Sequence, residues 1–93
     1  MQQVFLIGDP REFYAMASTP EKAMKLWRDL LAEHTHSRLF IYEYDLSEDG
    51  RLYSTARTFH EAEPLLPLTS ADRAAIREWQ KAYYYFSESS GED

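Results

Sequence analysis

The chain has 93 residues, 44% hydrophobic and 15% aromatic, which allows one small core and is too apolar for a disordered protein. Ten Lys and Arg against sixteen Asp and Glu leave a net charge of −6, which argues against direct nucleic-acid binding, since displacing counterions from phosphates needs a basic surface. There is no cysteine, no apolar run near the roughly 18 residues of a spanning helix, and no basic or apolar leader after Met1, so the expectation is a cytoplasmic protein without disulfides, thiolate chemistry or a membrane segment.

Residues 2–7 read as a short strand rich in β-formers (Val4, Phe5, Ile7), and Gly8-Asp9-Pro10 is a turn signal. Residues 12–17 then alternate, with Phe13, Ala15 and Ala17 on one side and Tyr14 and Met16 on the other. Together they predict an N-terminal hairpin. Ser18-Thr19-Pro20-Glu21 opens a helix: either Thr19 caps it with Pro20 first, or Ser18 caps it and Glu21 closes a capping box. The helix is expected over 20–34. Ala23, Trp27, Leu30, Leu31 and His34 fall on one stripe, widened by Met24, while Lys22, Lys25, Arg28, Asp29 and Glu33 face water.

Residues 38–45 and 51–59 form a second hairpin around Ser47-Glu48-Asp49-Gly50. A two-residue Asp49-Gly50 loop sets Tyr42 opposite Arg57. A three-residue loop with Gly50 left-handed sets Tyr42 opposite Ala56 and Glu43 opposite Thr55, placing Phe40, Tyr42 and Tyr44 against the small Ser54 and Ala56. A slip of one residue exchanges the two faces, so the turn decides which residues meet. Pro64 and Pro67 forbid a helix in residues 60–68, which Leu65, Leu66 and Leu68 pin to the core. Thr69 caps a second helix with Asp72 at its third position, and Ala75, Ile76, Trp79, Ala82, Tyr83 and Phe86 repeat the buried stripe. Residues 87–93 are polar and acidic and are expected to be a disordered tail. The fold class is therefore α+β: one domain over 1–86, two hairpins in an antiparallel sheet with two helices on one face, in the order ββαββα.

Chemistry is sparse. His34 and His36 flank Thr35, and His60 precedes Glu61 and Glu63, yet nothing in the sequence gathers all three histidines. A histidine at a helix end commonly interacts with the carbonyl dipole. Glu43 and Asp45 share a strand face and could pair as acid and base, although charges on the wet face of a strand are the plainer explanation. No Gly-x-Ser-x-Gly elbow or phosphate-cradling loop exists. Neither a metal nor a cofactor is expected.

The aromatic residues stand out. Tyr42, Tyr44 and Tyr53 cluster in the second hairpin, and Tyr83-Tyr84-Tyr85-Phe86 ends the last helix, where neighbours point about 100° apart and cannot all be buried. Tyr brings large contact area and one polar tip at small entropic cost. Tyr42, Glu43, Tyr44, Asp45, Glu48, Asp49 and Tyr84 are accordingly the candidate partner-binding residues, an acidic and aromatic set suited to a basic surface on a larger protein. A homodimer through the exposed sheet face or an edge strand is the further expectation. Size, acidity and the absence of a catalytic motif resemble compact inhibitors encoded by phages and mobile elements, of the anti-CRISPR or antitoxin kind, and place a non-catalytic binding module ahead of an enzyme or a homo-oligomeric structural protein.

Phe13-Tyr14, then Pro20, Ala23 and Trp27, then Phe40-Ile41-Tyr42-Glu43-Tyr44-Asp45-Leu46 resemble the middle strand–helix–strand stretch of ADP-ribosyltransferase-like folds. The likeness covers about a third of the chain. Those families also carry an upstream strand with a nicotinamide-site His or Arg, and residues 2–7 have neither. The resemblance implies a minimal enzyme or enzyme remnant with NAD as ligand, in a pocket lined by His60, Tyr42 or Arg57.

Overall fold

The computed structural model describes residues 1–83. In chain order the elements are β1 (Gln2–Gly8), β2 (Phe13–Ala17), α1 (Pro20–Ala32), β3 (Phe40–Leu46), β4 (Leu52–Phe59) and α2 (Ser70–Tyr83). They build the α+β fold read from the sequence, a four-stranded antiparallel sheet in the order β2-β1-β3-β4. The two hairpins join through β1 and β3, where Val4 lies opposite Tyr44, Leu6 opposite Tyr42 and Gly8 opposite Phe40.

At the β3–β4 turn, the Ser47 N–H donates to the Arg51 carbonyl at 2.9 Å and Gly50 takes φ +85°. Leu46 therefore pairs with Leu52 and Tyr44 with Ser54, the register of a three-residue loop. That register does not persist. Tyr42 pairs with Thr58, not Ala56, because β4 carries two extra residues beside Glu43, and Ala56 absorbs the bend at φ +65°.

A smaller irregularity separates β1 from β2. Ile7 faces Ala15 but Gly8 faces Phe13, which leaves Tyr14 unpaired and breaks the expected alternation of Phe13 with Ala15 and Ala17. Gly8 is required there, because a Cβ would run into the backbone of Glu12 and lie 2.8 Å from the Phe13 Cα. The Asp9 carboxylate holds the turn, accepting from the N–H groups of Arg11 (2.8 Å) and Glu12 (2.9 Å) and from the Tyr14 hydroxyl (2.7 Å).

Helix α1 starts with Thr19 as cap, its hydroxyl accepting from the Lys22 N–H at 3.2 Å, and with Pro20 in the first helical position. It stops at Ala32, short of the expected His34. Glu33 and His34 donate back to the carbonyls of Leu30 and Leu31, and His34 turns left-handed at φ +57°. The His34 side chain is thereby exposed rather than part of the buried stripe. Ala23, Met24, Trp27 and Leu31 do form that stripe, packed on Phe5, Ile7, Ala17 and Ile41 of the sheet. Burial of each such large side chain contributes roughly 1.5–3 kcal/mol.

Helix α2 packs chiefly on α1, and its Ile76 and Trp79 join the core cluster that also holds Phe5, Ile7 and Ile41 of the sheet. Thr69 and Asp72 cap its start reciprocally: the Thr69 N–H donates to Asp72 at 2.9 Å, and the Asp72 N–H to the Thr69 hydroxyl at 3.1 Å. Asp72 also binds Arg28 of α1 at 2.9 Å, so Arg28 is half-buried at the helix interface and not directed to water as its spacing suggested. Ile76 and Trp79 are buried, Ala75 and Tyr83 half-buried, and Ala82 exposed. Both indoles donate to the α1–β3 connection, Trp27 to the Leu39 carbonyl at 3.1 Å and Trp79 to that of His36 at 2.6 Å. Phe86 and residues 87–93 lie outside the described residues. Among the described residues, no helix is long and apolar enough to cross a membrane.

Candidate functional site: the open face of the sheet

Among the described residues, one face of the sheet carries the helices and the other carries none. Strand pairing puts Val4, Leu6, Met16, Phe40, Tyr42, Tyr44, Ser54 and Thr58 on this second face. Although no helix covers them, Val4 and Leu6 are only 3% and 7% exposed. The bulge at Tyr14 explains this, since it swings Phe13 onto the open side. There its ring stands edge-on to Tyr42 at 5.5 Å and Tyr44 at 6.1 Å, and Phe40 continues the aromatic row 5.9 Å from Tyr42. Phe13 remains 49% exposed and Met16 60%, so the aromatic layer is itself open to a partner. In a chain with 28% charged residues, no paired position on this face holds a charge.

The candidate binding residues divide along that face. Tyr42 and Tyr44 belong to it. Glu43 and Asp45 alternate with them along β3 and so point to the helix side, opposite Phe5 and Gln3. Glu43 is buried, 3.5 Å from the guanidinium of Arg57 on the β4 bulge, while Asp45 is half-buried. Glu48 and Asp49 sit exposed at the β3–β4 turn, beyond the Tyr44 end of the open face. Asp49 accepts from the Ser47 hydroxyl and lies 3.4 Å from Arg51. Tyr84 lies outside the described residues. The acidic and aromatic groups thus do not form one patch: two tyrosines lie on the open face, two acids at its rim and two acids behind it.

Burial raises the pKa of Tyr42, and the negative charge of Asp9 adds to the shift, with the ionised form of Tyr44 contributing and Arg38 opposing. Its hydroxyl therefore stays protonated at neutral pH and can donate a hydrogen bond. Asp9 moves the other way, chiefly because the Tyr14 hydroxyl bonds its charged form, with the Arg11 N–H next.

The remaining chemistry is dispersed. The His36 ring lies 4.5 Å from that of Tyr14, His60 lies 6.0 Å from Phe40 and 3.8 Å from Glu61, and His34 is exposed at the end of α1. Among the described residues, no three His, Asp or Glu side chains group as a metal site would require. Arg57 borders a shallow depression with Thr58, Phe59, Glu63 and Pro64, which includes neither His60 nor Tyr42.

No family model, curated protein or solved structure matches the chain. The likeness to ADP-ribosyltransferase-like folds thus rests on its residues alone; of the side chains it names, His60 and Tyr42 both neighbour the Phe40 ring, while Arg57 pairs with Glu43. An exposed sheet face is expected from the sequence, but the residues that form it are not, although their signal is present. Val4-Phe5-Leu6-Ile7 is an unbroken apolar run, the mark of a strand covered on both sides.

Proposed function

We propose that the chain is a small non-catalytic protein-binding module that docks through the open face of its sheet. The observation that carries this reading is an aromatic and aliphatic face whose paired positions are uncharged, bare of helices among the described residues, on which Phe13 and Met16 stay about half or more exposed. Such a face combines apolar anchors with the Tyr42 and Tyr44 hydroxyls, the composition found at the centre of interfaces. Glu48 and Asp49 supply an acidic rim at one end, suited to basic residues on a larger partner. Together with the net charge of −6, this suits an inhibitor of the phage or mobile-element kind, occupying a surface of opposite charge.

A photo-crosslinking side chain placed at Met16, compared with one at Lys22 on the outer side of α1, tests the reading. Both positions are exposed, so the fold tolerates either. Protein adducts from Met16 and none from Lys22 are expected in lysate of the host cell. Equal yields from both positions, or none from Met16, overturn the assignment of the face.

A further inference from the structure

We infer that the occupant of the open face is a second copy of this chain, joined face to face about a two-fold axis that runs along the strands. The inference rests on the open face being the docking surface of the reading above, and it puts there a chain of like charge in place of a larger basic protein.

Charge supports it first. Two copies each carrying −6 repel over most of their surfaces. The paired positions of the open face carry no charge, so two copies can meet there without burying an unpaired one, the charges of Asp9 and Arg38 near Tyr42 staying at its edge. A basic partner finds acidic groups only at the Glu48–Asp49 rim of this face, whereas its centre matches an uncharged surface.

Register supports it next. Met16 pairs with Leu6, Leu6 with Tyr42 and Tyr42 with Thr58, so these four residues form one row across all four strands. A two-fold axis along the strands, passing between β1 and β3, lays that row over itself in reverse. Met16 of one copy then meets Thr58 of its partner, while Leu6, buried beneath the rings of its own chain, takes no part in the contact. The most exposed large side chain of the row falls on one of the smallest, on both sides of the axis.

Area sets the strength. Four strands about 4.8 Å apart and five to eight residues long, at about 3.3 Å per residue, give a footprint on the order of 400–450 Å² per copy. The total is about 900 Å², below the usual range of stable complexes and within that of weak, reversible ones. A concentration-dependent dimer is expected.

Sedimentation velocity on the full chain, at concentrations up to about 0.5 mM, reads the 11.0 kDa monomer and its doubling directly. Within one copy, positions 16 and 58 lie three strands apart, roughly 14 Å, too far to pair with each other. Met16→Glu alone and Thr58→Lys alone should each weaken the dimer at least tenfold with unchanged thermal stability. The double variant Met16→Glu/Thr58→Lys, or an equimolar mixture of the two single variants, should restore it. A wild-type chain that stays monomeric throughout overturns the inference, and so does a dimer that neither substitution weakens or that the double variant fails to restore. A monomeric chain whose Met16 crosslinker still captures a different protein would sink the second copy alone and leave the docking surface standing.

Discussion

At residue scale, Gly8 and Asp72 each hold a place that few other side chains can take. Gly8 is closed in by the backbone of Glu12 and Phe13, and backbone cannot move aside as a flexible side chain can. Gly8→Ala should therefore cost about 1–3 kcal/mol in chemical denaturation, and it should also displace Phe13 from the open face. Asp72 is 2% exposed and binds both Thr69 and Arg28. Burial alone would raise its pKa, but the Thr69 N–H, the Arg28 guanidinium and the Thr69 hydroxyl together outweigh it and lower the pKa below 3.8. A depressed native pKa means that the ionised form is favoured by folding. Its contribution is then complete above pH 3.8 and fades as the pH falls through the native value. Asp72→Asn should lower stability at pH 7 by about 1–3 kcal/mol, and its deficit against wild type in urea should shrink steadily below pH 3.8. A deficit that stays constant to pH 2 would show that the pair contributes nothing through charge.

At the scale of elements, the hairpins and helices were legible because each announces itself locally. Thr19-Pro20 starts α1, Thr69 with Asp72 starts α2, and Gly50 supplies the left-handed residue of a three-residue turn. Faces were harder to read, since they depend on where pairing slips. Tyr42-Glu43-Tyr44-Asp45 looks like one patch in the sequence, but a strand sends alternate residues to opposite sides. Phe13 looked like a partner of Ala15 until the unpaired Tyr14 moved it across the sheet. No local signal marks either bulge. The first is set by close approach, Gly8 packed against the backbone of Glu12 and Phe13, and the second by a cross-strand partner, Glu43 buried where Thr55 donates to its carbonyl at 3.3 Å. Ala56 bears the cost of the second bulge, since an L side chain at φ +65° is strained. Ala56→Gly should relieve that strain and raise stability by about 0.5–1 kcal/mol, while Ala56→Val should lower it by at least as much; thermal melts of the two variants check the sign.

For the whole molecule, salt separates the two ways in which charge can govern association. Docking of an acidic surface on a basic one is driven by attraction, and screening weakens it. Two copies meeting through a neutral face experience only the repulsion between chains of charge −6, and screening relieves it. The Debye length shrinks from about 20 Å near 20 mM salt to about 4 Å near 0.5 M, well under the width of the molecule. The dimer should therefore tighten severalfold over that range in sedimentation equilibrium, with sodium chloride used so that specific ion effects stay small. Glu48→Lys/Asp49→Lys, which lowers the net negative charge at the rim without touching the face, should flatten the dependence. A dimer that dissociates as salt is added would mean that ion pairs, and not the aromatic face, hold the copies together.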